Sequence, residues 1–200
     1  MLPSVFSARR GARRLSHVLS AVIVAGSLAL PLLASASGGL LDVSYRPLAG
    51  KEAVNLEQRY HGRVLLVVNT ASKCGFTPQY EGLEALQKQY AGRGLSVLGF
   101  PSNDFRGQEP GDEKEIQEFC TLTYGVKFPM FEKVHVLGEQ ATPLYKGLTR
   151  ATGVAPGWNF HKYLVGRDGK VIAQFPSKVK PDDKDLVAAI EQALAAPATH

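Results

Sequence analysis

Two apolar segments, separated by a helical stretch, constrain the fold of this chain more than any other feature. RVLLVVNT at 63–70 is a continuous run of Val and Leu, which is typical of a strand buried on both faces. LSVLGFP at 95–101 is a second run of this kind. Between them, Leu83, Leu86 and Tyr90 have the spacing of one face of a helix. This order predicts a parallel βαβ unit.

The remaining segments extend this unit to a complete layered domain. Before the unit, a short hairpin is predicted around RPLAGKEAV. After it, the chain predicts a helix EKEIQEFCTLTY capped by Asp112, a short strand KVHVL at 133–137 and one or two helical turns in PLYKGLTRA. A hairpin of NFHKYLV and KVIAQF around GRDG and a closing helix in PDDKDLVAAIEQALAA complete the domain. A βαβαβ order followed by a hairpin and a final helix predicts an α/β thioredoxin-like fold, with a central mixed sheet flanked by helices.

The N-terminus predicts export. Residues 1–36 contain four arginines followed by the apolar run VLSAVIVAGSLALPLL, and Ala34-Ser35-Ala36 offers a small-residue cleavage site. A membrane anchor is the alternative, but the run is short for a bilayer and is interrupted by Pro31. We therefore expect a cleaved signal peptide at 1–36 and a single exported domain at 37–200, in the periplasm or secreted, with no stable membrane anchor.

The basic character of the chain belongs largely to this signal. The sequence has 23 Lys and Arg against 18 Asp and Glu, and removing the four signal arginines leaves 19 basic residues. The remaining domain is close to neutral and has no basic stripe, so a nucleic-acid partner is not expected.

The chain has only two cysteines, Cys74 and Cys120. An oxidising compartment permits a structural disulfide between them, and this remains one interpretation. However, Cys74 follows the first buried strand and precedes a helix whose predicted N-cap is Thr77 and N1 residue is Pro78. Active sites of open α/β sheets lie at the carboxyl ends of the strands, and a helix N-terminus favours a thiolate. The position of Cys74 therefore also fits a nucleophile.

Two other roles for Cys74 are disfavoured. Outside the signal, the histidines His61, His135, His161 and His200 have no ligand spacing to a cysteine, so no metal is expected. Thr77 occupies the place of the second cysteine in a Cys-x-x-Cys motif. Any disulfide partner is therefore Cys120, 46 residues away on a separate predicted helix, part of which would have to move.

Four collinear motifs resemble the glutathione peroxidase family in its cysteine-containing form: VVNTASKCGFTPQYEGLEALQKQY, LGFPSNDFRGQEPG, FPMFEKVHV and WNFHKYLVGRDGKV. The resemblance extends from residue 40 to about 195. It implies that Cys74 is the peroxidatic cysteine and Cys120 the resolving cysteine of the thioredoxin-dependent branch. It also implies that Gln108, Trp158 and Asn159 complete the catalytic site.

The resemblance implies a thiol peroxidase that acts in the response to oxidative stress. Its substrates would be hydrogen peroxide and organic or lipid hydroperoxides, and it would need no cofactor and no metal. The reductant would be a thioredoxin-like protein rather than glutathione, since the arginines that hold glutathione in the animal enzymes are not evident here. The short segment 131–158 implies a monomer or a weak dimer.

The sequence departs from the family pattern at four loop positions, and it leaves other functions open. Many members have a third cysteine at Ser102, and Asp104, Arg106 and His161 replace other common residues. A peroxide sensor would use the same two cysteines to oxidise a client protein. An exported domain with a permanent structural disulfide would not react with peroxide. A copper-chaperone-like domain is disfavoured because its Cys, His and Met ligand set is missing.

Overall fold

The computed structural model describes residues 38–48 and 50–197. The predicted signal peptide at 1–36 lies outside the described residues, so export stays a prediction. No helix in the described part of the chain is long and apolar enough to cross a membrane.

A four-stranded mixed sheet forms the centre of the fold, with strand order β4-β3-β5-β6. Its strands are β3 (Val64–Thr70), β4 (Leu95–Pro101), β5 (Lys162–Val165) and β6 (Val171–Phe175), and a separate antiparallel pair consists of β1 (Ser44–Tyr45) and β2 (Val54–Asn55). β3 is parallel to β4 and antiparallel to β5, and β5 is antiparallel to β6. The predicted parallel unit, both hairpins and the mixed sheet are therefore confirmed.

In the described part of the chain, five α-helices flank the central sheet: α1 (Leu56–Tyr60), α2 (Gln79–Tyr90), α3 (Glu113–Tyr124), α4 (Pro143–Thr152) and α5 (Lys184–Ala195). Val64, Leu66 and Val68 of β3 belong to one apolar core, shared with α2, α3 and α5. Leu65 and Val67 belong to a second core, shared with α1 and α4. Since all five side chains are completely buried, β3 is covered on both faces, as its apolar run predicts.

Helix α3 has well-defined ends. The Asp112 side chain accepts a hydrogen bond from the Glu115 amide at 2.8 Å, and the Glu115 side chain accepts one from the Asp112 amide at 2.9 Å. These two bonds form a capping box and confirm the predicted cap. At the other end Gly125 has φ +62° and donates its amide to helix carbonyls, which is a conformation that glycine adopts without strain.

The predicted strand at 133–137 is wrong. This segment belongs to no strand, although the Val134 amide donates to the Pro101 carbonyl at the end of β4 at 2.9 Å. The Val136 and Leu137 amides donate instead to the Asp104 carboxylate, at 2.6 and 3.2 Å. A side chain 32 residues away thus replaces the neighbouring strand as hydrogen-bond acceptor.

Candidate active site

Cys74 lies in a tight turn between β3 and α2. Its amide donates to Thr77 Oγ1 at 3.0 Å, and the same hydroxyl donates to the Ala71 carbonyl at 2.9 Å. Helix α2 begins at Gln79, with Pro78 in the cap position and no side-chain cap. The prediction that Thr77 caps α2 is therefore wrong, because its hydroxyl holds the cysteine turn closed.

The Cys74 sulfur accepts a hydrogen bond within the turn that precedes this helix. The Phe76 amide donates to Cys74 Sγ at 3.4 Å, and Cys74 exposes 9% of its surface. An N–H group that donates to the sulfur stabilises negative charge there. The neighbouring residues Lys73 and Gly75 are exposed. The turn thus presents a nearly buried sulfur, with a hydrogen-bond donor, at the protein surface.

Gln108 and Asn159 are brought together beside this turn. Asn159 Nδ2 donates to Gln108 Oε1 at 2.9 Å, and the Gln108 carbonyl accepts the Lys73 amide at 3.0 Å. Asn159 is completely buried, whereas Gln108 is half-buried. Because Asn159 occupies the oxygen of the Gln108 amide, the Gln108 Nε2 group remains as a donor for a substrate or a sulfur.

Trp158 lies on the loop before β5, next to Asn159. Its carbonyl accepts a hydrogen bond from Asn69 Nδ2 at 3.1 Å. Its half-buried ring packs 5.4 Å from the Phe105 ring, and the Arg106 guanidinium lies 5.4 Å above it. These contacts join the Gln108 loop to the Asn159 loop, so the indole has a packing role whatever its part in catalysis.

Cys120 is completely buried on α3, in the same apolar core as Cys74, and the two cysteines are not disulfide-bonded. Burial raises the pKa of the Cys120 thiol to about 11; the adjacent Tyr80 hydroxyl lowers this pKa and the Glu109 charge raises it. In this conformation Cys120 is a protonated thiol shielded from solvent.

Comparison with known proteins identifies the family. A model of the glutathione peroxidase family matches residues 40–149. The chain belongs to the glutathione peroxidase family. It is 48% identical over 168 residues to the thioredoxin/glutathione peroxidase BtuE of Escherichia coli, covering 72% of this chain and 91% of that protein. It is 51% identical over 148 residues to the hydroperoxy fatty acid reductase gpx1 of Synechocystis, covering 68% and 85%.

Solved structures agree with this family and fold. The crystal structure of Trgpx in apo form superposes with a TM-score of 0.64 at 37% identity, covering 82% of this chain and all of the other. A thioredoxin-family thiol:disulfide interchange protein from Chlorobium tepidum superposes with a TM-score of 0.55 at 18% identity, covering 76% and 93%. The predicted thioredoxin-like fold is confirmed, and the chain is an enzyme of the peroxidase class.

Sequence reasoning missed two buried groups in this peroxidase. Glu109 is completely buried beside Gln108, and burial raises the pKa of its carboxyl group. Tyr80 is completely buried, and its hydroxyl lies next to Cys120. Glu109 stands within the GQEPG motif, and Tyr80 is one helical turn before Leu83, so both had a signal in the sequence. An acidic residue in a polar loop is normally exposed, so the sequence predicted an exposed Glu109 rather than a buried one.

The residues that follow Asn159 are also buried. Burial lowers the pKa of the His161 imidazole to about 4, and the ring packs 4.8 Å from Tyr163. His161 is therefore neutral at physiological pH. Within residues 38–48 and 50–197, no three His, Cys, Asp or Glu side chains are grouped so that they could hold a metal ion.

Proposed function

We propose that this peroxidase is a thiol peroxidase that cycles through a Cys74 sulfenic acid and a Cys74–Cys120 disulfide. The observation that carries the proposal is the Cys74 sulfur, which accepts the Phe76 amide beside the Gln108–Asn159 pair. A nucleophilic sulfur, a helix N-terminus and a neutral amide donor together suit attack on a peroxide.

In the first step the Cys74 thiolate attacks one peroxide oxygen. The O–O bond breaks, and the attacked oxygen stays on the sulfur with the peroxide proton, so that Cys74 becomes a sulfenic acid. The other oxygen takes up the proton that Cys74 released on ionising and leaves as water or an alcohol. The Gln108 amide is the donor available to stabilise the negative charge that develops on the leaving oxygen. Asn159 would keep that amide in orientation through its own hydrogen bond to Gln108.

In the second step Cys120 attacks the oxidised Cys74 and water leaves. Cys120 is completely buried within α3, between Tyr80 and the apolar core. We infer that α3 opens locally before the two sulfurs meet. We place this opening at its C-terminal end, because helix ends open at a lower free energy than helix centres and the last turn exposes 83% of Leu122.

We propose a thioredoxin-like protein as the reductant, with glutathione as the alternative. The E. coli relative is named for both, which supports either choice. We also propose hydrogen peroxide and organic or lipid hydroperoxides as substrates, since the Synechocystis relative is named a hydroperoxy fatty acid reductase. Export to the periplasm and a monomeric or weakly dimeric state complete the proposal.

The test is peroxide consumption by the prereduced protein and by its Cys74→Ser and Cys120→Ser variants. Hydrogen peroxide and cumene hydroperoxide would be supplied, with thioredoxin or glutathione as reductant. We expect Cys74→Ser to be inactive, and Cys120→Ser to consume one equivalent and then stop with thioredoxin. If the wild-type protein consumes no peroxide while its disulfide forms in air, the bridge is structural and the proposal is wrong. One turnover with fast transfer of the disulfide to a client protein would indicate a sensor instead.

A further inference from the structure

Glu109 is a buried acid that the cycle above does not use. The residue exposes none of its surface, and its amide is held by Asn103 Oδ1 at 2.8 Å. Neither carboxylate oxygen has a hydrogen bond of ordinary geometry. Burying a carboxyl group in this way is unfavourable, so its presence one residue after Gln108 needs an explanation.

The groups around Glu109 come from the cysteine turn, from α2, from α3 and from the segment after α3. Those that interact with its carboxyl group are Ser72 and Lys73 of the cysteine turn, Lys133 of the segment after α3, Tyr80 of α2 and Cys120 of α3. The Lys133 ammonium donates to the carbonyls of Glu109 and Gly111, at 3.3 and 2.8 Å, and so is held by the backbone of the loop.

A cleft of about 350 Å³ lies beside Glu109. Glu109 lines it together with Ser72 and Lys73 on one side and Ile116 and Phe119 of α3 on the other. Phe119 precedes Cys120, so the acid lies between the Cys74 turn and the helix that carries the second cysteine. The two walls of the cleft therefore belong to the elements that have to approach each other when the proposed disulfide forms.

The Cys120 thiol needs a base when its sulfur attacks. In the packed conformation burial raises its pKa to about 11, so the thiol enters the closure step with its proton still bound. Burial also raises the pKa of Glu109 above its ordinary value, while Ser72, Lys133 and Lys73 act in the opposite direction. A carboxyl group whose pKa is moved toward neutrality is better suited to exchange protons at physiological pH.

We propose that Glu109 accepts the proton of Cys120 while the disulfide forms; this inference rests on the thiol peroxidase cycle proposed above. As the Cys120 sulfur attacks the Cys74 sulfur, the S–S bond forms and the S–O bond of the sulfenic acid breaks. The thiol proton passes to the Glu109 carboxylate and then to the departing hydroxide, which leaves as water. Glu109 returns to its ionised state, and the step needs no outside oxidant or reductant.

The experiment separates the two chemical steps in a single turnover. Prereduced protein is mixed with hydrogen peroxide, and the fluorescence of Trp158, the one tryptophan of the chain, is followed in time. Oxidation of Cys74 gives a phase that depends on peroxide concentration, and disulfide closure gives a phase that does not. Mass spectrometry of samples quenched with dimedone counts sulfenic acid and disulfide directly.

We expect Glu109→Gln to slow the second phase by about 100-fold and to accumulate sulfenic acid, with little change in the first phase. Glu115→Gln is the matched control. It makes the same charge change at the same cleft, keeps an amide oxygen for the capping box, and should alter both phases less than about twofold. Circular dichroism checks that both variants are folded.

An unchanged or faster rate of disulfide closure in Glu109→Gln would overturn the inference. If Glu109 merely suppresses ionisation of Cys120 by its charge, Glu109→Gln closes the disulfide at least as fast as wild type. A second test needs no variant: the wild-type closure rate should rise with pH only up to the carboxyl pKa and then level off. A rate that rises steadily toward the pKa of Cys120 contradicts the proposal. Absence of the first phase in wild type would instead contradict the peroxidase cycle itself.

Discussion

At the scale of single residues, the candidate site depends on a hydrogen bond between two amide side chains that leaves one N–H donor available. Asn159 is completely buried and donates to the Gln108 oxygen. The Gln108 side chain is thereby left with an N–H donor, while its backbone carbonyl accepts the amide of Lys73, the residue before Cys74. Neutral donors of this kind stabilise negative charge without competing for the proton.

This arrangement predicts the effect of removing the Gln108 amide. Gln108→Ala should lower the second-order rate constant for oxidation of Cys74 by about 100-fold, because one donor to the developing charge is lost. The measurement is the peroxide-dependent fluorescence phase of the prereduced protein. Gln89→Ala makes the same substitution on an exposed position of α2 and should change the rate less than about twofold. Equal rates for both variants would remove Gln108 from the site.

At the scale of elements, α3 has to satisfy two opposing requirements. It buries Cys120 completely, yet the proposed disulfide requires that cysteine to leave its position. The N-terminal capping box fixes one end of the helix, whereas the end near Cys120 depends on Gly125 in the left-handed conformation. The exposed side chain of Leu122, 83% accessible, shows that the last turn is packed on one side only.

Weakening this end should therefore speed disulfide closure. An alanine in the left-handed region costs about 1 kcal/mol, and a Cβ on Gly125 meets no other atom, so Gly125→Ala changes only the backbone preference. If α3 opens before the sulfurs meet, closure after oxidation of Cys74 should become up to about fivefold faster.

Gly153→Ala supplies the matched control for this prediction. Gly153 ends α4 with φ +71° and also has space for a Cβ, but α4 packs in the other apolar core. Both variants should lose about 1 kcal/mol of unfolding free energy in urea, and only Gly125→Ala should accelerate closure. Identical closure rates in the two variants would mean that α3 need not open at its C-terminal end.

At the scale of the whole molecule, Lys162 joins parts of the chain that surround the cysteine turn. Its ammonium group is completely buried and donates to Gln79 Oε1, the Phe160 carbonyl and the Val179 carbonyl, at 2.6, 2.7 and 2.7 Å. Burial lowers its pKa to about 7. Gln79 in turn donates to the Ser177 carbonyl at 2.7 Å. One side chain of β5 thus fixes the start of α2 against the loop before α5.

Replacing Lys162 should destabilise the protein strongly. Lys162→Met keeps a long side chain but leaves three buried oxygens without their donor, which should lower the free energy of unfolding by about 3 kcal/mol. Urea denaturation of the reduced protein measures this change. Lys170→Met, on the exposed turn between β5 and β6, should leave the free energy nearly unchanged. A loss similar to that of the control would show that the three bonds contribute no net stability.

Much of the fold and part of the site could be predicted from sequence patterns. The apolar runs of β3 and β4 identify strands buried on both faces, since alternating side chains reach two separate cores. The position of Cys74 after β3, and of Asp112 before α3, follows from local signals of the same kind. The family motifs predicted Gln108 and Asn159, which the structure brings within hydrogen-bond distance across 51 residues of chain.

The failures have a common physical cause. Thr77 has the composition of a helix cap, but its hydroxyl bonds Cys74 and Ala71 instead. The segment 133–137 has the composition of a strand, but Asp104 takes two of its amides. In each case the residue type restricts the possible hydrogen bonds, and a competing partner decides which one forms.

By itself, the sequence determined the α/β architecture and the place of Cys74 at a strand end, because periodicity and helix signals depend on neighbours along the chain. Only the tertiary structure decided which groups surround Cys120 and which acid is buried beside it. Burial of Glu109 and the pKa of Cys120 depend on desolvation by residues far apart in sequence. Such an environment exists only after packing is complete, so no local pattern could have indicated it.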